Sequence, residues 1–449
     1  MNTPVYDFVK KYAQSKNKRF HMPGHKGKSF LGCENLDITE IDGADVLYNA
    51  KGIIKMSEEN ASLIFGTQKC VYSTEGSSLA IRSMLWLAML YAKTNGKNVK
   101  IAAARNVHKT FVTAAALMNY DVDWLMADNP DTIVSCKITA ETVSRYLSEA
   151  DLLPVAVYIT SPDYIGNIAD IRAISDVCHK YGVLLLVDNA HGAYLHFLKL
   201  SLHPADLGAD MCCDSAHKTL PVLTGGAYLH ISQNAPTFFA QNAENAMSVF
   251  ASTSPSYLIL QSLDLANRYL SDGYTRKLGI LIEAVDNIKT KLRNVGYSIV
   301  GDEPLKLTVA PKSYGYTGDE VADILNKKGF ICEFYDPDFV VFMVTPENEP
   351  SSLAALTDAL LAIPKRNPIM SKAPAITLPK AVMSLNDALF CESEEIPIQD
   401  SIGKIAASPT VNCPPAIAVV VCGEIIDENV KECMEYYGIE KIKVTKNSP

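Results

Sequence analysis

No run of apolar residues in this 449-residue chain approaches the roughly 18 needed to cross a bilayer; stretches such as Leu85 to Ala92 stop far short. The opening segment MNTPVYDFVKKYAQSKNKRF has no uninterrupted apolar core, so it is not expected to act as a secretory signal. No basic stretch offsets the net charge of −9, which leaves nucleic-acid and acidic-membrane roles without electrostatic support. The 11 cysteines fall irregularly, with Cys212 and Cys213 adjacent, and form no CxxC or Cys/His zinc spacing. They read as reduced, mostly buried thiols of a cytoplasmic protein. There is no GxxxxGK[ST] loop for a nucleoside triphosphate, and no HExxH-like ligand spacing, so no metal is expected. Internal repeats and low-complexity tracts are also missing.

What is there is an ordinary folded composition, 48% hydrophobic and 20% charged, in a chain long enough for two or three structural units. Residues 1–52 are rich in turn residues and charge and read as an N-terminal arm or cap. Beyond them, strand-length apolar runs alternate with helix-length segments. The runs are Lys69–Ser73, Lys100–Ala104, Val155–Thr160, Val183–Val187, Ala209–Cys213 and Gly226–Ile231. Most are continuously apolar, the mark of strands buried on both faces of a mostly parallel sheet. Helices at Ser77–Lys93, Ala140–Ala150 and Ile171–Tyr181 supply the crossovers, which predicts an α/β layered domain over 53–295. One or two helices between Ser256 and about Val295 lead out of it. A small α+β unit over 296–364 follows, in the order strand (Leu305–Ala310), helix (Gly318–Lys328), two strands (near Ile331–Tyr335 and Phe339–Val344), helix (Ser351–Ile363). The Pro- and Lys-rich stretch 365–379 reads as a linker, and 380–449 as a C-terminal segment.

Four segments carry candidate chemistry. In CDSAHKTLPVLTGG, Lys218 follows an apolar strand, at the end where α/β proteins place ligands. A desolvated lysine there can form a Schiff base, although a surface lysine at a strand end reads the same way. In VLLLVDNAHGAYLHF, Asp188 ends a buried strand 30 residues before Lys218. A carboxylate so placed is costly unless paired. It can keep a pyridine nitrogen protonated, or simply cap the next helix. In YSTEGSSLAIRSML, a strand turns at Gly76 into a helix opened by Ser77 and Ser78, an anion cradle or an ordinary cap. His108 in ARNVHKTF can stack on a cofactor ring or serve as a structural histidine. An anion cradle, an aromatic ring, a carboxylate and a lysine at one sheet edge are together what pyridoxal 5′-phosphate (PLP) needs.

At this point the chain resembles the short form of the ornithine/lysine/arginine decarboxylases, which are fold-type-I PLP enzymes. The resemblance rests on FHMPGHKG (Phe20–Gly27), DITEIDGADVL (Asp37–Leu47), the EGSS turn and RNVHKT (Arg105–Thr110). It extends through TSPDYIGNIADI (Thr160–Ile171), VDNAHGA (Val187–Ala193), SAHKTLPVLT (Ser215–Thr224), STSPSY (Ser252–Tyr257) and CPPAIAVVVCGE (Cys413–Glu424). It implies an aspartate-aminotransferase-like three-layer α/β/α domain with smaller C-terminal units, and no wing domain of the long inducible enzymes. It also implies that Lys218 bonds the cofactor, with His217 and Ser215 flanking it. Asp188 pairs with the pyridine nitrogen, Ala190 packs on one ring face and His108 on the other. Ser77 and Ser78 hold the phosphate, and Ser252 matches a position that reaches a phosphate across a homodimer interface. The implied reaction is loss of CO2 from a basic amino acid, giving a polyamine-type amine.

The chain departs from the family pattern at several points. Glu75–Gly76 stands where an Asn-Gly pair is usual, Gly225 where longer members carry Gln, and Ala416, Ala418 and Cys422 alter the C-terminal tract. Two other readings stay open on sequence. One is a different fold-type-I reaction, such as transamination; the other is a decarboxylase-like regulator without turnover.

Overall fold

The computed structural model describes residues 1–127, 132, 134–409 and 418–446. Seven strands come from the first part of the chain: β1 (Lys69–Ser73), β2 (Lys100–Ala104), β3 (Asp121–Leu125), β4 (Ala156–Thr160), β5 (Leu184–Asp188), β6 (Met211–Asp214) and β7 (Ala227–Ile231). The helices before, between and after them are α1 (Pro4–Ala13), α2 (Ile53–Phe65), α3 (Gly76–Thr94), α4 (Lys109–Met118), α5 (Ala140–Glu149) and α6 (Ile171–Lys180). They continue as α7 (Ala216–Thr219), α8 (Thr237–Phe250), α9 (Tyr257–Ser271) and α10 (Tyr274–Val295). The chain groups into two compact units, one of residues 1–97 and 171–277, the other of 98–170 and 278–449.

In the first unit the strands lie in the order β1-β7-β6-β5. β5 and β6 are parallel with Asp188 opposite Cys213, while β7 runs antiparallel to both β6 and β1. Every residue of β5, β6 and β7 is buried, as continuously apolar runs require of strands covered on both faces. The helix α1 is no loose arm. Val5 and Val9 are fully buried, and the Asp264 carboxylate of α9 accepts the Tyr6 N–H at 2.9 Å. The predicted stretch from Ser256 resolves into two helices, α9 and α10, parted at Gly273, whose φ of +71° ends the first.

In the second unit β2 pairs in parallel with both β4 and β3. The sequence reading passed over β3, DVDWL. Its alternating charges do not look like a buried run, and as a strand at the end of the order it tolerates them: Asp121 is exposed. Four further strands, β8 (Ser298–Val300), β9 (Lys306–Ala310), β10 (Phe334–Tyr335) and β11 (Val340–Met343), form an antiparallel sheet in the order β10-β11-β9-β8. The helices α11 (Gly318–Asn326) and α12 (Pro350–Leu361) belong to this small α+β unit, and α11 opens with a Thr317/Glu320 capping box. Within this small unit, the three-residue β8 is the strand that sequence reading did not anticipate. Residues 365–379 hold neither helix nor strand. The chain then adds α13 (Leu385–Phe390), β12 (Ser393–Pro397), α14 (Glu428–Tyr436) and β13 (Lys441–Thr445), with β12 and β13 paired antiparallel. Among the described residues no helix is long and apolar enough to cross a membrane.

Candidate functional site

Within the first unit, the carboxyl ends of β5 and β6 deliver two carboxylates side by side. Asp188 closes β5 and is only 2% exposed. Its Oδ1 accepts the Ala190 N–H at 3.2 Å and faces the Cys213 thiol at 3.6 Å. Neither contact brings a positive charge, and among the described residues no Lys, Arg or His forms an ion pair with Asp188. Burying a carboxylate without a cation is expensive.

Asp214 closes β6 and is fully buried, but its partners are complete. The Nε2 atoms of His203 and His230 lie 3.0 and 3.1 Å from its Oδ2, and Asn189 donates to Oδ1 at 2.7 Å. Those contacts outweigh burial and hold the Asp214 carboxyl well below the usual carboxylate range, despite desolvation. The potential ligand atoms of His203, Asp214 and His230 sit within 4.8 Å of one another, close enough for a metal. Hydrogen bonding accounts for the arrangement instead. His203 Nδ1 accepts the Ala205 N–H at 3.3 Å, so the neutral ring carries its proton on Nε2, where it donates to Asp214. Burial pushes the His230 imidazole below its ordinary pKa, against the pull of Asp214, so this ring too donates as a neutral group.

The chain leaves β6 through Ser215 into α7, a single turn carrying His217 and Lys218. The Lys218 N–H donates to the Ser215 carbonyl at 3.0 Å. Both the N–H and Nδ1 of His217 bond the Gly226 carbonyl, at 3.1 and 2.9 Å. Burial, with the Lys218 charge adding to it, lowers the His217 pKa, so this ring is neutral at physiological pH. Ser215 Oγ donates to Ser77 Oγ at 2.8 Å, which joins the lysine turn to the first turn of α3. The same two segments meet again where the Gly76 N–H donates to the Gly225 carbonyl at 2.7 Å. Gly76 adopts φ +71° and Gly225 φ +98°, and a Cβ at Gly225 would stand 2.9 Å from the Thr74 carbonyl oxygen. No side chain fits at 225 without displacing the turn that opens α3, which is the physical content of that departure from the longer sequences. Glu75, the other departure, is exposed, and its Oε1 accepts the Ser252 N–H at 2.8 Å.

The structure therefore brings Ser77, Ser215, His217 and Lys218 onto two interlocked turns, with Asp188 and the buried Ala190 on the neighbouring strand end. Ser78 lies in the same first turn of α3, and Ser252 meets the cradle through Glu75. His108 belongs to the second unit, at the start of α4, where its Nδ1 lies 2.9 Å from Thr110 Oγ1 and accepts the Thr110 N–H. Three residues earlier Arg105 makes a buried bidentate pair with Glu424, at 2.8 and 2.6 Å, and lies 4.7 Å over the Trp124 ring. The C-terminal tract thus anchors the RNVHKT segment; Ala418 and Cys422 are buried there, and Ala416 lies outside the described residues. Sequence reading missed Cys213, Asn189 and the Asp214 network. A second strand-end Asp just before Ser215 was a visible signal, whereas His203 and His230 carry none in their spacing.

The donor set suits PLP. A buried carboxylate lacking a cation fits a pyridinium, hydroxyls at a helix start fit a phosphate, and a half-buried lysine on the turn between them fits the aldehyde. The comparisons agree. Residues 3–299 match the Orn/Lys/Arg decarboxylase major domain and residues 369–445 the Orn/Lys/Arg decarboxylase C-terminal domain. The chain is 30% identical to an arginine decarboxylase of Halalkalibacterium halodurans, over 95% of this chain and 91% of that one. It is 29% identical to the arginine decarboxylase of Bacillus subtilis over the same shares. Among solved structures, the Francisella novicida lysine decarboxylase LdcF superposes with a TM-score of 0.80 at 18% identity, covering 99% of this chain and 81% of that one. These matches favour decarboxylation over the aminotransferase and regulator readings. The chain belongs to the Orn/Lys/Arg decarboxylase family, and is a fold-type-I, PLP-dependent decarboxylase of basic amino acids.

Proposed function

We propose that the preferred substrate is arginine, and that the product is its decarboxylated amine, agmatine, a polyamine precursor. Relatives matched over 91% of their own length are named arginine decarboxylases, and the acidic balance of the chain suits a cationic substrate. The observation that carries the site is the cation-free, buried Asp188 carboxylate, one strand away from the Ser215–Lys218 turn.

In this reading Lys218 bonds the cofactor, and Asp188 keeps a proton on the pyridine nitrogen, with the Cys213 thiol and the Ala190 N–H holding the carboxylate in place. Bound there, PLP supplies an electron sink for the bond broken between Cα and the carboxylate. Ser77 and Ser78 hold the phosphate, Ser215 flanks the lysine, Ala190 packs on one ring face, and Ser252 serves a phosphate across a homodimer interface. The stacking role of His108 rests on the RNVHKT resemblance. After CO2 leaves, Cα needs a proton, and Lys218 is the acid that returns it, with His217 beside it as a neutral partner. The division of the chain into 1–52, 53–295, 296–364, 365–379 and 380–449, and a cytoplasmic homodimer, complete the proposal.

The test is CO2 release by purified holoenzyme from arginine, lysine and ornithine in turn, alongside an absorbance spectrum. Arginine is expected to give the highest kcat/KM. Preference for lysine or ornithine overturns the substrate, and no CO2 from any of the three overturns the reaction. Lys218→Ala is expected to abolish both the lysine-bound cofactor band and turnover; a surviving band moves the cofactor lysine elsewhere.

A further inference from the structure

Asp188 and Cys213 stand side by side on the parallel strands β5 and β6, and both are buried, at 2% and 0% exposure. Side chains alternate between the faces of a sheet, so Cys213 shares a face with Asp188, while Asn189, Cys212 and Asp214 point the other way. The donors gathered on Asp214 therefore serve the opposite face. What reaches Asp188 is weaker. Both of its hydrogen bonds fall on Oδ1, from the Ala190 N–H at 3.2 Å and the Cys213 Sγ at 3.6 Å. Among the described residues Oδ2 accepts none.

The thiol is a donor by necessity. Burial, with the Asp188 charge adding to it, pushes Cys213 well above the usual thiol range, so the sulfur keeps its proton. Its place is set by the strands: its carbonyl accepts the Asn189 N–H at 3.0 Å, and it pairs with Leu229 of β7. An S–H is a weak donor, and its weakness matters here. Hydrogen bonds to a carboxylate disperse its charge, as the three strong donors on Asp214 do. A hydroxyl at 213 would draw charge from Asp188 in the same way. An apolar side chain would leave the carboxylate free to turn.

We propose that Cys213 is a positioning residue for the decarboxylation: its S–H holds Asp188 Oδ1, turns Oδ2 toward the pyridine nitrogen, and leaves the carboxylate charge for the proton there. This rests on the assignment of Asp188 to that nitrogen. The competing role is packing alone, with a small side chain filling the middle of the sheet. Serine separates the two, because it is close to cysteine in size and a stronger donor.

Two measurements test the role. The first is the infrared S–H stretch of Cys213, isolated as the difference between wild type and Cys213→Ala, in apoenzyme and with PLP bound. A hydrogen-bonded thiol absorbs below a free one. The band is expected at low frequency in the apoenzyme, and to move up both in Asp188→Asn and when PLP shares the Asp188 charge. The second is turnover of PLP-loaded Cys213→Ser, expected to fall about 3–10-fold in kcat, with KM and the apoenzyme melting temperature held. A band at the free-thiol frequency, or one indifferent to Asp188→Asn, overturns the proposal. Wild-type kcat in Cys213→Ser also overturns it and leaves Cys213 as core filling. If Cys213→Ser does not fold, the infrared bands alone decide. Failure of the underlying reading looks different: a low-frequency band unmoved by PLP, with full turnover in Asp188→Asn, removes Asp188 from the chemistry and Cys213 with it.

Discussion

Asp188 and Asp214 end adjacent parallel strands, are buried to nearly the same degree, and are treated in opposite ways by their surroundings. Asp214 is surrounded by donors, with His203, His230 and Asn189 all bonded to it. Asp188 has an amide N–H and a distant thiol, and among the described residues no cation pairs with it. A carboxylate whose needs are met within the fold contributes to stability. One left short of positive charge costs stability until a ligand supplies it, and that imbalance marks the ligand's place. Two other buried carboxylates show the remaining solutions. Glu424 pairs with Arg105, and Glu58 of α2 takes up a proton: burial, with the Glu244 charge adding to it, pushes its pKa from 4.5 to about 8, against a hydrogen bond from the Tyr72 N–H.

These four solutions predict different failures. The largest effect is expected for Glu424→Gln, which strands a guanidinium only 5% exposed and should lower stability by about 3–5 kcal/mol, read from urea unfolding. A loss below about 1 kcal/mol would mean the pair is not the anchor of the RNVHKT segment. Next comes Asp188→Asn, expected to reduce kcat by about 10²–10³-fold, because the amide cannot hold the pyridine proton by charge. Its melting temperature should stay at or above that of the wild-type apoenzyme, since an unpaired buried charge is removed. A variant that unfolds but turns over normally when folded would reverse the assignment.

Asp214→Asn is the mirror image. The amide offers a donor where His203, His230 or Asn189 already donates, so stability should fall by about 1–3 kcal/mol while folded, PLP-loaded enzyme keeps most of its turnover. Abolished turnover at unchanged stability would place Asp214, and not Asp188, at the chemistry. The last case, Glu58, is read as a pH dependence and not as a single loss. Its folded pKa is raised, so the native state binds the extra proton, and stability declines as pH climbs from about 4.5 to about 8. Glu58→Gln keeps an acceptor for the Tyr72 N–H without the titration. Its melting temperature should therefore exceed wild type at pH 8 and converge with it near pH 4.5. A constant difference across that range would mean Glu58 is not the titrating group.

Much of the site was legible because its residues sit where strand periodicity ends. Five apolar residues before Asp188 announce a buried strand with a charge at its tip, and the glycine and serines after β1 announce a helix start. The elements that escaped are those whose local pattern misleads. The strand β3 alternates charges because it lies at the end of its strand order, and β8 is too short to show a period. Glu75 read as a departure from the usual Asn-Gly pair, and its link to Ser252, 177 residues away, has no trace in local sequence.

The sequence by itself determined the α/β layering, the placement of Lys218, Asp188, Ser77 and Ser78 at strand ends and a helix start, and the family, because those follow from short-range periodicity and motif. Only the tertiary structure decided which of two neighbouring carboxylates is satisfied and which is not. That depends on His203, His230 and Asn189, brought to Asp214 by packing between segments apart in the chain. Partner counts around a buried charge are long-range quantities, and no window of sequence contains them.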